Sequence, residues 1–130
     1  MRPIADTANF IAVYPQALGD PNDGYSANWM HKDPTDHDDV FFIETLIETI
    51  SSQYTIDQKR IYVCGYSLGG EFTYDLLCRL NNKIASGAAV ARTMQQYTYD
   101  ICAPVHPTAV MTILGTDDST SPYELSLIHI

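Results

Sequence analysis

The chain has 130 residues, of which 45% are hydrophobic and 18% charged, and this is the composition of a single globular domain. Disorder, collagen and coiled coil are therefore excluded as descriptions of the whole chain. Its 16 acidic residues outnumber its 7 basic ones, which gives a net charge of −9. We expect no nucleic-acid partner and no membrane partner, because there is no basic stripe to bind phosphates and no apolar run of membrane-spanning length.

Short apolar runs alternate with stretches of helical periodicity in the first half of the chain. Residues 10–14, FIAVY, are closed by Pro15 and predict a strand that is buried on both faces of a parallel sheet. A polar loop rich in Gly, Pro, Asn and Asp follows over residues 16–36. Asp36 or Asp38 can then cap a helix. Aliphatic residues recur in that helix at helical spacing: Val40, Ile43, Leu46, Ile47 and Ile50.

The second half of the chain continues the alternation. Residues 60–64, RIYVC, predict a strand, and residues 65–70 lead from it into a second helix. Further strands are predicted within residues 85–90 and 109–114. Strands separated by helices are typical of an α/β fold with a parallel sheet and right-handed crossovers. The second helix is expected to bury Phe72, Leu76, Leu77 and Leu80.

The motif G-x-S-x-G at residues 65–69 lies between a predicted strand and a predicted helix. The bare motif is weak evidence, but in this position it has the form of a nucleophile elbow, the sharp turn that exposes a reactive serine. Gly65 and Gly69 would leave space around Ser67. The backbone N–H of Leu68 would supply half of an oxyanion hole. The alternative is that Ser67 is an ordinary helix N-cap.

A serine nucleophile requires a histidine base and an acid that orients it, usually in the chain order Ser, acid, His. The last predicted strand runs into Gly-Thr-Asp-Asp-Ser, so Asp117 and Asp118 are expected at the carboxyl edge of the sheet, where such an acid belongs. Only one of the two can be the orienting acid. The alternative for this segment is a plain surface turn.

Four histidines are candidates for the base. His31 and His37 lie in the polar loop upstream of the elbow, where solvated surface positions are the simpler interpretation. His106 comes before Asp118, which is the wrong chain order. His129 is the one histidine that follows Asp118.

The three cysteines, Cys64, Cys78 and Cys102, are too few for a disulfide scaffold. No CxxC motif or Cys/His cluster indicates zinc, and no metal or organic cofactor is implied. Three buried thiols are one interpretation. One disulfide with one free thiol is the other, and it implies an oxidising compartment. The sequence leaves both open.

Several of these motifs resemble the secreted polyhydroxybutyrate depolymerase and feruloyl or acetyl-xylan esterase group of α/β hydrolases. The resemblance rests on IADTANFIAVYP at residues 4–15, YTIDQKRIYVCGYSLGGEFTY at residues 54–74 and GTDDSTSPY at residues 115–123. It implies a partial α/β-hydrolase domain over residues 1–124, with a mostly parallel sheet and helices on both faces. The N-terminal strands and a C-terminal strand and helix of that fold would be missing.

The resemblance implies a serine carboxylester hydrolase that acts through an acyl-enzyme on polyester or plant-cell-wall esters, and an extracellular location. By this likeness Ser67 is the nucleophile, and Asp118 rather than Asp117 is the triad acid. The likeness also suggests a disulfide between Cys78 and Cys102. The alternatives are a non-catalytic α/β-hydrolase-like binding module of a secreted protein and a peptidase of the same fold. The oligomeric state stays open.

The chain is expected to be a fragment of its parent protein. Residues 125–130, LSLIHI, are what CTG TCT CTT ATA CAC ATC encodes, the mosaic-end adapter of transposase-based library preparation, and they are expected to be a non-native tail. The catalytic histidine is then expected beyond the end of the sequence, and the second oxyanion donor before its start. The fragment by itself is expected to be inactive. The loop around Trp29 could bind sugar or aromatic groups by stacking, although a simple anchor for the loop is the alternative.

Overall fold

Three short strands alternate with helices in the computed structural model, which describes residues 2–18, 28–29 and 38–123. The strands form a parallel sheet in the order β1-β2-β3. The α/β class predicted from the sequence is therefore confirmed. In chain order the elements are α1 (Arg2–Ala8), α2 (Asp39–Gln53), β1 (Tyr62–Tyr66), α3 (Leu68–Arg79), β2 (Ser86–Val90), α4 (Gln96–Ile101) and β3 (Ala109–Ile113).

The helices α2 and α3 and the three strands lie close to their predicted positions. β1 begins two residues later than predicted, and β2 and β3 lie within the predicted ranges. The helices α1 and α4 were not predicted from the sequence. With seven and six residues, these helices are too short to display a hydrophobic period that repeats.

The strand predicted at residues 10–14 does not form. This segment has no regular secondary structure, and within the described part of the chain it pairs with no strand. Its large side chains are about half exposed, from 45% for Val13 to 61% for Tyr14. An apolar run shows that a segment favours burial, but a strand also needs a neighbouring backbone to satisfy its N–H and C=O groups. That neighbour is not specified by local sequence.

Among the described elements, helices cover one face of the sheet. α3 packs on β1 and β2, while α2 and α4 contact α3. The spatial order of the strands is the same as their order in the chain. Right-handed crossovers therefore place α3 and α4 on the same side of the sheet. The expectation of helices on both faces is therefore not met within these residues. The opposite face carries exposed side chains, which are Tyr62, Cys64, Tyr66, Met111 and Ile113.

The hydrophobic core lies between α2, α3 and the covered face of the sheet. The side chains predicted to be buried by the second helix are buried, with 3% to 7% of their surface exposed. The core cluster consists of Val40, Ile43, Phe72, Leu76, Leu77, Leu80 and Ile84. No helix among the described residues combines the length and the hydropathy needed to cross a bilayer.

Asp38 begins α2 and joins it to α3. Its Oδ1 accepts a hydrogen bond from the backbone N–H of Phe41 at 3.0 Å, which confirms one of the two predicted caps. The other candidate, Asp36, lies outside the described residues. The Oδ2 of Asp38 lies 2.5 Å from Nη1 of Arg79, in the last turn of α3, and the Asp38 side chain is 3% exposed. One carboxylate therefore caps one helix and pairs with the end of the next.

A disulfide joins Cys78, in the last turn of α3, to Cys102, the residue that ends α4. Their Cα atoms lie 5.1 Å apart. Cys64 is a free thiol and is exposed. The pairing implied by the resemblance is thus confirmed, and the interpretation with three buried thiols is wrong.

Removing the disulfide is expected to destabilise the chain. The disulfide closes a loop across a sequence separation of 24 residues. The double variant Cys78→Ala/Cys102→Ala opens this loop, so the unfolded state gains conformational entropy and the free energy of unfolding falls by about 3.5 kcal/mol. Chemical denaturation measures this change. The control is Cys64→Ala, with an expected change below about 0.5 kcal/mol, because that thiol is free and exposed. Equal stability of the two variants would contradict the prediction.

Candidate active site

Ser67 forms the turn between β1, which ends at Tyr66, and α3, which begins at Leu68. Its backbone has φ 53° and ψ −118°, a region that non-glycine residues seldom occupy. Strain of this kind persists only where neighbouring structure holds it. Here the N–H of Ser67 donates to the carbonyl oxygen of Val90 in β2 at 2.9 Å. The turn is thus held to the neighbouring strand by a backbone hydrogen bond.

The hydroxyl of Ser67 does not cap the helix that follows it. The side chain makes no capping hydrogen bond, and the residue is partly exposed. These observations argue against the ordinary N-cap interpretation and leave the hydroxyl available for chemistry. Leu68, the first residue of α3, has its N–H in the helical turn whose amides lack an intrahelical acceptor. An anion beside the turn would also be stabilised by the positive end of the helix.

Two glycines make the turn sterically possible, and one of them was missed. A Cβ at Gly65 would lie 1.9 Å from the carbonyl oxygen of Gly69, and a Cβ at Gly70 would lie 3.1 Å from that of Val90. A Cβ at Gly69 would meet nothing within 4 Å in the described structure. The role predicted for Gly65 is confirmed, whereas the role predicted for Gly69 is wrong and belongs to Gly70. The two consecutive glycines, Gly69 and Gly70, were the feature of the sequence that could have indicated the role of Gly70.

Substitution at these glycines is expected to separate their roles. Gly65→Ala places a methyl group into the backbone of the turn, and we expect it to lower the free energy of unfolding by about 3 kcal/mol or more. Gly69→Ala is the matched control, and we expect it to be neutral or stabilising by up to about 1 kcal/mol, because the position is helical and open. Thermal or chemical unfolding followed by circular dichroism measures both. A stable Gly65→Ala protein would contradict the packing.

The carboxylate of Asp118 is held by the backbone of its own loop, after the end of β3. Its Oδ1 accepts hydrogen bonds from the N–H of Thr120 at 2.8 Å and of Ser121 at 3.0 Å. The pKa of Asp118 is held below its usual value. The causes are the hydrogen bond from the N–H of Ser121, then that from Thr120, and more weakly the positive charge of Arg92. The neighbouring Asp117 is exposed. The loop therefore orients the carboxylate of Asp118.

The end of β2 connects the turn at Ser67 with the strand that leads to Asp118. The carbonyl oxygen of Val90 accepts from Ser67, and the N–H of the next residue, Ala91, donates to the carbonyl oxygen of Ile113 at 2.8 Å. Ile113 is the last residue of β3. The carboxyl ends of β1 and β3 thus lie at the same end of the parallel sheet. They are two strand spacings apart, or about 10 Å.

His106 lies at the opposite edge of the sheet, because it precedes β3. A five-residue strand, about 16 Å long, separates that edge from the edge that carries Ser67. The backbone of His106 is bonded there to the side chain of Asn81, through its N–H at 2.9 Å and its carbonyl oxygen at 2.7 Å. The structure therefore agrees with the exclusion of His106 as the base. His31, His37 and His129 lie outside the described residues.

Trp29 is packed against the core. Its ring is stacked on that of Phe72 in α3, with centroids 4.5 Å apart and planes inclined by 14°. One face of the indole is therefore occupied, which favours the loop-anchor interpretation over stacking on a ligand. Within the described ranges, no three His, Cys, Asp or Glu side chains converge in a way that could hold a metal ion.

The ionisation of Asp118 is expected to follow from its hydrogen bonds. Because its pKa is lowered in the folded state, its contribution to stability is present above the unfolded-state value, about 3.9, and is lost as the pH falls through the folded-state pKa. Carbon-detected NMR titration is expected to give a midpoint below about 3.9 for this carboxyl. Asp118→Asn assigns the signal. A midpoint at or above the ordinary value would contradict the hydrogen bonding.

The chain is similar to proteins that are named as esterases. The chain is 30% identical over 121 residues, 93% of its length, to a bifunctional acetylxylan esterase/xylanase of Neocallimastix patriciarum, and covers 16% of that protein. It is 34% identical over 98 residues, 74% of its length, to feruloyl esterase B of Piromyces equi, and covers 18% of it. Probable feruloyl esterase C of Aspergillus niger is 36% identical over 58 residues, 45% of the chain and 20% of that protein.

The chain thus spans a fifth or less of the length of these three relatives. No protein-family model matches the chain. The similarity to feruloyl and acetylxylan esterases that the sequence motifs indicate is confirmed by these relatives at the level of an esterase group.

Proposed function

We propose that this chain carries the nucleophile and the orienting acid of a serine carboxylester hydrolase. The observation that carries the proposal is the strained turn at Ser67, with a hydroxyl that caps no helix, at the same sheet edge as the loop that fixes Asp118. Strained backbone conformations cost free energy, and they cluster at functional sites. The similarity to proteins named as esterases supports an ester as the substrate.

The proposed reaction proceeds through an acyl-enzyme. A histidine outside the described residues takes the proton of Ser67 as Oγ attacks the ester carbonyl, and Asp118 orients that imidazole. The N–H of Leu68 stabilises the oxyanion together with a second donor, also outside these residues. The imidazolium protonates the departing alcohol as the C–O bond breaks. Water then attacks the acyl-serine by the same steps, which releases the acid and restores the hydroxyl.

The proposed substrates are acetyl or feruloyl esters of plant-cell-wall polysaccharides. This choice rests on the names of the relatives, and polyhydroxybutyrate is the comparison polymer for an assay panel. We propose an extracellular site of action. The disulfide between Cys78 and Cys102 supports it, because such bonds form and persist in oxidising compartments.

A fluorophosphonate probe tests the nucleophile in the protein expressed from its complete reading frame. Labelling is expected in the wild type and is expected to be absent in Ser67→Ala, because the probe reacts with an activated serine. Ser52→Ala, at an exposed serine of α2, is the matched control and should label normally.

Asp118→Asn is expected to lower kcat for ester hydrolysis by about 10⁴-fold, through loss of the correct imidazole tautomer.

The other outcomes separate the competing functions. A folded protein that the probe does not label would favour a non-catalytic binding module. Labelling that persists in Ser67→Ala would place the nucleophile elsewhere. Hydrolysis of peptides in preference to acetylated or feruloylated xylan would favour a peptidase of the same fold.

A further inference from the structure

An ion pair between Glu71 and Arg92 lies beside the elbow, and neither side chain is assigned a step in the proposed reaction. Nε and Nη2 of Arg92 both donate to Oε2 of Glu71, at 2.9 Å and 2.7 Å. The side chain of Glu71 is 3% exposed and that of Arg92 is 21% exposed. Burying two charges incurs a desolvation penalty that often cancels their attraction, so stability alone is a weak explanation for such a pair.

The pair joins the first turn of α3 to the corner at the end of β2, which we define as residues 90–92. Ala91 has φ 53°, a second strained non-glycine backbone at the same edge of the sheet as Ser67. The corner is bonded on both sides, since Val90 accepts from the elbow and Ala91 donates to the end of β3. Arg92, the last residue of the corner, is held by a side chain four residues beyond Ser67.

We propose that Glu71 and Arg92 are positioning residues that hold the Ser67 elbow in register with the loop that carries Asp118. The pair fixes the corner against α3, and the corner in turn holds the elbow on one side and the end of β3 on the other. Without the pair, the backbone of Ala91 is free to relax from its positive φ, and the hydrogen bonds on both sides of it shift. This inference rests on the proposed function.

The chain offers a matched control for this pair. Asp38 and Arg79 form an ion pair with almost the same exposure, 3% and 22%, and α3 contributes to both pairs. Arg79 lies in the last turn of the helix, whereas Glu71 lies in the first. The control pair is therefore as buried as the proposed one but lies at the far end of α3 from the elbow.

The experiment compares two double variants in the protein expressed from its complete reading frame. Glu71→Gln/Arg92→Gln removes both charges of the proposed pair, and Asp38→Asn/Arg79→Gln removes both charges of the control pair, so that neither variant leaves one member of its pair charged. We expect the first to lower kcat by about 10²-fold with KM changed less than about 3-fold, because misplacement of reacting groups affects the chemical step. The control is expected to keep kcat within about 3-fold.

A second variant keeps the test decisive if the double variant does not fold. Arg92→Lys, with Glu71 unchanged, retains the charge without the planar fork. Its kcat is expected to lie between that of the wild type and that expected for the double variant. A Glu71→Gln/Arg92→Gln protein with the kcat of the control would overturn the positioning role while leaving the proposed function intact. A folded wild type that neither reacts with the probe nor hydrolyses esters would overturn the proposed function, and the positioning role with it.

Discussion

The strained backbone at Ser67 is the constraint on which the rest of the site depends. A chain that leaves β1 and immediately enters α3 must reverse within one residue, and Gly65 permits this because the backbone of Gly69 fills the space of its missing Cβ. The hydrogen bond from Ser67 to Val90 holds the strain in place. A hydroxyl at the carboxyl edge of the sheet, at the positive end of a helix, is the product of that geometry.

α3 carries most of the connections that stabilise this arrangement. Its apolar side packs on α2 and on the covered face of the sheet, and Phe72 holds the ring of Trp29. Its first turn binds the corner after β2 through Glu71, and its last turn contributes Cys78 to the disulfide. α3 is thereby fixed at both ends, so the turn at Ser67 that precedes it has little freedom to relax.

Local sequence predicted those features whose causes are local. The helical period beginning at Val40 and the Asp38 cap predicted α2, and the strand-glycine-serine context predicted the sharp strand-to-helix turn at Ser67. It was wrong at residues 10–14, because pairing partners are remote in sequence. It also assigned the steric role to Gly69 instead of Gly70, because the carbonyl that approaches Gly70 belongs to Val90, twenty residues further along the chain.

The sequence alone was enough to predict the α/β class, the order of α2, β1, α3, β2 and β3, and the candidate residues Ser67 and Asp118, because hydrophobic period, glycine spacing and turn composition act over a few residues. The tertiary structure was needed to show that Ser67 donates to Val90, that Ala91 donates to Ile113, and that Glu71 pairs with Arg92. These facts depend on strand register and chain crossover, which bring together groups that are distant in sequence.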